Sequence, residues 1–474
     1  MATTPAETPP ITDANAVVYV PKTKALRRYL GLYSFANLSI AVLWGSLLAV
    51  LIPLQVQQMV FGQVFTGADA GVDLQALTTL QAAVAAGTET ATADQNRLLG
   101  LLAEYNSSRA TGLSVVSTVG VVLGMLLAPI IGLLSDRTRS RFGRRAPWIA
   151  AGGIAGGALI CLLPLSPTIA VLAVVWSLIQ VAVGLAQGPL GVTVADRVPE
   201  ERIAGVSAIS GLASYFGAIV GVVTVGALFA SIGLATYIPL GVLLFLGTTA
   251  FVLFAPDKSS RGMVLPERLR FPVVLRSYVV ALRDRDYRWT WISRVLLFLG
   301  YSISSVYSVY MLQSYITPAL SATEAAQTVP LLQVAALPAT LLAMYVGGRW
   351  SDKIGRRKPF VFVAGLIIAF SFLVPFVWPT LPGMFVQTIL TGFGYGMFLV
   401  VDQALFIDVL PDKEAAGRDL GLSGLGQNLG NALGPVVAGA VVAAFSGAYA
   451  PVWPIGFVLV AMASLAVLRV KGVR

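Results

Sequence analysis

No histidine occurs in the 474 residues, and there is a single cysteine, Cys161. The first absence removes imidazole metal sites and imidazole proton relays. The second leaves no intrachain disulfide, and Cys161 itself falls in an apolar run. Charge is also sparse: 11% of residues are Asp, Glu, Lys or Arg, against about 25% in soluble proteins. With 57% hydrophobic residues and a mean hydropathy of +0.81, the chain must turn most of its surface towards lipid. No phosphate-cradling G-x-x-x-x-G-K-(S/T) sequence is present, so ATP is not the expected energy source. Nor does any Ser-, Cys- or His-based constellation point to an enzyme, and no cofactor or metal is expected.

What is present is a set of long apolar runs. About 20 such residues suffice to cross a bilayer, and twelve spans are predicted, near 30–53, 111–134, 147–165, 168–192, 205–230, 234–254, 289–313, 327–350, 359–377, 380–407, 420–445 and 449–469. The fold class is therefore an all-α polytopic membrane protein. Residues 1–28 form a polar tail without the basic-then-apolar order of a cleavable signal. A long outer loop covers 55–108, where LQALTTLQAAVAA and DQNRLLGLLAEY suit short helices. Residues 255–288 form a basic linker in which FPVVLRSYVVALRDRDYRW suits an amphipathic helix on the lipid surface. The linker separates two six-helix halves, 29–254 and 289–474.

The net charge of +10 is topological, not a nucleic-acid footprint. Of 32 Lys and Arg, 29 fall in segments that alternate spans place on one face, with Arg97 and Arg109 opposite and Arg294 inside a span. Basic loops stay in the cytoplasm, which puts both termini there and the protein in the cell membrane.

Two charged signatures repeat. GLLSDRTRSRFGRRAPW (Gly132 to Trp148) and GRWSDKIGRRKPF (Gly348 to Phe360) set Asp136 and Asp352 216 residues apart. ADRVPEERIAG after the fourth span and IDVLPDKEAAG after the tenth align Asp196 with Asp408 and Pro199 with Pro411, each at an offset of 212. Two motifs at nearly one offset indicate a six-plus-six duplication, a common way to build a transporter.

The paired Gly-x-x-x-Asp-(Arg/Lys)…Gly-Arg-Arg loops resemble the cytoplasmic loop of the major facilitator superfamily. The resemblance covers nearly the whole chain after residue 25. The first half resembles the sugar–cation symporter (glycoside–pentoside–hexuronide) branch that includes plant sucrose carriers. This rests on SDRTRSRFGRRAPWI, on Trp44 and Pro53 in the first span, and on Gln187-Gly188-Pro189 followed by Ala195-Asp196. The chain departs from those carriers at Gly191, where they have arginine, and in the second span, which lacks the carboxylates of sodium-coupled members. The resemblance implies a monomeric secondary transporter that moves a small solute, with a sugar or glycoside among the candidates, by alternating access. Proton-coupled symport is the leading reading. Proton-coupled efflux of drugs or metabolites, and a solute receptor that does not transport, are the alternatives.

Charges inside spans mark candidate sites, because each costs roughly 2.5–3.5 kcal/mol on insertion scales. Two remain once every other charge is placed at a helix end or loop: Arg294 in the seventh span and Asp402 in the tenth. Each lies six residues from its basic end, about 9 Å deep at 1.5 Å per residue. A titrating Asp402 whose charge Arg294 holds would couple protons; the same residues also suit a structural salt bridge, or an Arg294 that snorkels to the lipid headgroups. Candidate cavity residues are Asn37, Gln180, Gln187, Tyr301, Ser305, Ser308, Gln427, Asn428 and Asn431, with Arg294, Tyr301, Ser305 and Ser308 on one helical face. Aromatic and amide groups suit a neutral polyhydroxyl solute, and equally suit hydrogen bonds between helices. The cytoplasmic gate is assigned to Asp136, Arg137, Arg144, Arg145, Asp196, Asp352, Lys353, Arg356, Arg357, Asp408 and Arg418, whose arginines can pair with Asp196 or Asp408.

Overall fold

A computed structural model describes residues 23–263, 280–411 and 416–472. Among these every regular element is helical. In chain order the helices are α1 (Lys24–Ser46), α2 (Ile52–Val64), α3 (Leu74–Ala85), α4 (Ala93–Arg137), α5 (Ala146–Leu162), α6 (Ile169–Arg197), α7 (Glu200–Ile232) and α8 (Tyr237–Phe254). They continue as α9 (Arg285–Val306), α10 (Ser308–Ser314), α11 (Ala322–Ile354), α12 (Lys358–Ser371), α13 (Leu373–Val377), α14 (Leu381–Asp408), α15 (Ala416–Ala444) and α16 (Val452–Val467). Among the described residues, eight helices or continuous helix chains are long and apolar enough to cross a membrane, or nine if α9 and α10, bent by 49°, form one span.

Local chemistry sets these boundaries. The side chains of Thr23, Thr92, Thr168, Ser321 and Thr380 each accept a hydrogen bond from a first-turn N–H, with full capping boxes at Thr92/Gln95 and Ser321/Glu324. A π turn over Leu47–Leu51 joins α1 to α2 just before Pro53. Proline lacks the N–H and crowds the carbonyl four residues back, and a widened turn accommodates both. The repeated Gly-Arg-Arg has a backbone reason. Gly143 and Gly355, 212 positions apart, both take positive φ, +87° and +66°, a region that strains other residues.

The expected loop at 55–108 is largely helical. The first helix chain runs on to Val64, and LQALTTLQAAVA forms α3 as expected. DQNRLLGLLAEY is not a separate short helix but the start of the 45-residue α4. Its charges suggested a loop, yet Arg97 is held by Asp69 and Asp94, and Arg109 is buried. Residues 24–28, assigned to the tail, already belong to α1. Of the expected amphipathic segment, 271–289, residues 271–279 lie outside the described residues, and from Arg285 onward it belongs to α9.

Helix packing repeats. In the first set α1 packs on α7 and α8, α6 on α4 and α5, and α5 on α8. In the second set α9 packs on α15 and α16, α14 on α11 and α12, and α12 on α16. Exchanging α1, α4, α5, α6, α7, α8 for α9, α11, α12, α14, α15, α16 turns one list into the other. The two large contacts between the sets, α4 on α15 and α7 on α11, also exchange into each other.

Close packing depends on absent side chains. A Cβ built on Gly45 would collide with the Ala218 backbone of α7, and one on Gly221 with the Val42 backbone of α1. Gly31, on the same α1, has open space around it. Gly221→Val is expected to part α1 from α7 and destabilise by about 1–3 kcal/mol. Gly31→Ala is expected to stabilise by about 0.5–1 kcal/mol through helix propensity. Thermal unfolding of both variants in one detergent gives the comparison, and equal midpoints would contradict it.

Candidate functional site

α9 and α14 bring Arg294 and Asp402 together. The guanidinium Nη2 lies 2.6 Å from Oδ2 of Asp402, and Nε donates to the same oxygen at 2.8 Å. Nη1 donates to Ser423 Oγ of α15 at 2.9 Å, Nη2 to Gln403 Oε1 at 3.2 Å, and the Phe406 ring lies 4.4 Å from the Arg294 carbon Cζ. Arg294 is 6% exposed and Asp402 1%. The other carboxylate oxygen of Asp402, Oδ1, is buried with no hydrogen-bond partner among the described residues. The pair is thus satisfied on its arginine side and incomplete on its carboxylate side.

Two helical turns further from the basic ends of the same helices lie Tyr301 and Tyr395. Their rings stack at 4.7 Å with 12° between planes. Phe298 bridges the two levels, edge-on to both Tyr395 and Phe398. The tyrosines line a central cavity of roughly 310 Å³. Its other polar walls include Trp44, Tyr215, Ser305, Ser308, Gln333, Thr340, Gln387 and Thr388, and none of the described residues lining it carries a charge. Trp44 Nε1 donates to Gln187 Oε1 at 3.2 Å, tying α1 to α6 beside the cavity. Ser305 and Ser308 donate to carbonyls one turn back, so their oxygens remain acceptors.

Each repeated loop is tied both to its own aspartate and to the aspartate of the second motif. Arg145 Nη1 lies 2.6 Å from Asp136 and Nε 3.3 Å from Asp196, with Arg144 2.8 Å from Asp196. Arg357, 212 residues on, lies 2.9 Å from Asp408 and 4.0 Å from Asp352. The second arginine of each Gly-Arg-Arg is therefore the hub. Lys353 and Arg356 are exposed, Arg137 is half-buried, and the side chain of Arg418 lies outside the described residues.

Both hubs stay within one set of helices. Several side-chain hydrogen bonds between described residues of the two sets lie away from the basic ends. Tyr307 donates to Ala110 O, Tyr310 to Pro53 O, Thr118 to Ala432 O and Gln75 to Ala319 O.

A family model described as Major Facilitator Superfamily matches residues 95–339 and 304–471. The chain belongs to this superfamily. It is a family of multi-pass membrane transporters and not an enzyme class. A short stretch of 39 residues is 56% identical to a protein of Synechocystis sp. named an uncharacterized symporter, spanning 8% of this chain and 7% of that protein. Among solved structures, a nucleoside transporter (NupG) superposes with a TM-score of 0.66 at 14% identity, covering 93% of this chain and 99% of that one. The human organic anion transporter TETRAN gives 0.58 at 16% identity over 94% and 100%. A peptide transporter crystallised with alafosfalin gives 0.60 at 14% identity over 93% and 95%. At these identities the structures establish the fold alone.

On this superfamily frame, the expected cavity residues divide. Tyr301, Ser305 and Ser308 line the cavity and Gln187 reaches it through Trp44. Asn37 is turned to its own helix, donating to Tyr33 O, and buried Gln180 packs beneath Gly120. Gln427, Asn428 and Asn431 do not line the cavity. The sequence reading missed Tyr215, Gln333, Gln387 and Tyr395. Gln387, Thr391, Tyr395 and Asp402 recur at helical spacing in the tenth span, the signal that selected Tyr301, Ser305 and Ser308 in the seventh. Arg109 was missed for another reason: it was placed in a loop.

Removing one partner of a buried ion pair leaves the other uncompensated, typically at about 3–5 kcal/mol. Asp402→Ala is expected to lower stability by that order, and Arg294→Met with Asp402→Leu to recover most of it. Thermal midpoints in a double-mutant cycle decide this, and additive losses would contradict the pairing.

Proposed function

We propose that this protein takes up a small neutral polyhydroxyl solute, a sugar or glycoside, by proton-coupled symport across the cell membrane. The observation that carries the reading is an uncharged, tyrosine-walled central cavity two helical turns above a buried Arg294–Asp402 pair. Flat aromatic faces with hydroxyl and amide groups match rings that carry many hydroxyls. A charged solute would find no counter-charge in that cavity.

In this reading the helices form twelve spans in two halves, 29–254 and 289–474, joined by 255–288, and the basic loops set both termini in the cytoplasm. The protein works as a monomer. Asp402 is the proton acceptor, and its unpartnered Oδ1 is where the proton adds. Protonation weakens its hold on Arg294, which keeps Ser423 and Gln403 as neutral acceptors. The two halves rock about the cavity, and the arginine hubs release or re-form contacts across the cytoplasmic side as they do. One proton crossing 100 mV supplies about 2.3 kcal/mol, enough for roughly 50-fold accumulation at 1.4 kcal/mol per decade.

Proteoliposomes with a panel of sugars and an imposed inward proton gradient test this. The expected result is gradient-driven accumulation by the wild type. Asp402→Asn should keep solute exchange and lose accumulation. Undiminished proton-driven accumulation in Asp402→Asn would reject the coupling role. Exchange of hydrophobic cations in place of sugars would mark efflux. Binding without exchange would mark a receptor.

A further inference from the structure

A second cavity, roughly 520 Å³, lies away from the central one, between α2, α3, α4 and α10 near the ends opposite the basic loops. At its wall stands Arg109, 1% exposed. No carboxylate pairs with it among the described residues. Nε donates to Tyr449 Oη at 3.2 Å and Nη2 to Ser314 Oγ at 2.6 Å. The rings of Tyr310, Tyr105 and Tyr449 surround its Cζ at 4.4, 4.8 and 5.6 Å. Aromatic faces offset part of the cost of burying a cation. They add no negative charge.

Two further groups on the same cavity are incomplete. Gln313 is 7% exposed and its Nε2 has no hydrogen-bond partner among the described residues; the same holds for the Oε1 of Gln57. A buried donor without an acceptor is destabilising, so leaving one beside an unpaired cation needs a reason. Asp73 lines the mouth, but it is exposed and its carboxylate caps α3 through Gln75 N and Ala76 N.

We propose that this cavity is a second binding site, for a small oxyanion of the carboxylate or phosphate kind, held by Arg109 and Gln313. Among the described residues the guanidinium donates from Nε and Nη2, which leaves the N–H groups of Nη1 to meet an anion, and the Gln313 amide supplies a neutral donor from the other set of helices. Arginine suits planar oxyanions because its N–H groups form a fixed fork. Because Arg109 and Gln313 come from α4 and α10, a bound anion bridges the two sets where they already touch. Anion binding therefore favours the conformation described here. The site is separate from the central cavity and does not depend on the solute assigned to it.

The anion can be a dissolved ion or a lipid headgroup, and two arms distinguish them. Full-length protein in neutral detergent is titrated with sodium acetate against neutral acetamide, ionic strength being held with a bulky sulfonate salt. In the second arm, phosphatidylglycerol is compared with phosphatidylcholine in the same micelles. The expected result is a rise of roughly 2–5 °C in Tm with the anionic member of one pair. Gln313→Leu removes an unsatisfied amide with little change of volume, so it should fold at least as stably and lose that rise. Arg109→Gln should lose it too; if that variant does not fold, Gln313→Leu decides alone. A rise with acetate identifies a soluble anion, and a rise confined to phosphatidylglycerol identifies a headgroup. No rise in either arm, or an equal rise in Gln313→Leu, overturns the site.

Discussion

Where water is excluded, a charge must be compensated by the protein, and four arginines meet this constraint in four ways. Arg145 takes two carboxylates, Asp136 and Asp196. Arg197 takes Asp257, the carbonyl of Ala255 and the faces of Tyr29 and Phe251. Arg294 takes one carboxylate with one unpartnered oxygen. Arg109 takes none, only hydroxyls and rings. Compensation therefore decreases from the helix ends to the interior of one set and then to the seam between the sets. The first two fix loops and helix ends. The last two are the least compensated, which is why the proposed proton and anion sites are placed at them.

The same ordering appears in packing. Within each set, helices approach closely enough that a Cβ on Gly45, Gly221, Gly300, Gly430 or Gly396 would meet a neighbour's backbone or side chain. Such contacts are made of many small dispersion terms and resist sliding. The seam at the ends away from the basic loops also has close approaches, Gly226 on Ala326 and Gly439 on Ala110. It adds hydrogen bonds to carbonyls from Tyr307 and Tyr310, which a tyrosine can exchange for water when the surfaces part. Rigid sets with an exchangeable seam are what rocking between two conformations requires.

Much of this is legible in the sequence, because periodicity and charge placement are dictated by lipid. The long apolar runs, the paired loops and the pair of Arg294 with Asp402 all follow from the cost of polar groups in hydrocarbon. Loops were harder. Arg97 and Arg109 read as outer-face charges, whereas α4 passes through them with Arg97 tied to Asp69 and Arg109 caged by tyrosines from both sets. No sequence spacing links Arg109 to Tyr310 or Tyr449. Amides were harder still. Asn37 and Gln180 have the composition of site residues, but which helix face meets a cavity depends on rotation. Tyr395 shows the converse: its helical spacing with Asp402 was visible, and only its stacking on Tyr301 gave that spacing a meaning.

The two sets are alike at their loops and unlike inside. By the 212-residue offset that carries Asp196 to Asp408 and Arg145 to Arg357, Asp402 corresponds to Leu190, which is fully buried. The ion pair thus belongs to one set alone, while the other contributes Trp44 and Gln187 beside the cavity. A proton can shift a conformational equilibrium only through contacts that differ between the two states, so what matters is how the pair reaches the seam. α15 provides the link. Near its start Ser423 accepts from Arg294, and further along the same 29-residue helix Ala432 and Pro435 accept from Thr118 and Tyr307. In the proposed coupling, the acceptor that Arg294 keeps when Asp402 is neutralised therefore lies on one of the helices that join the two sets.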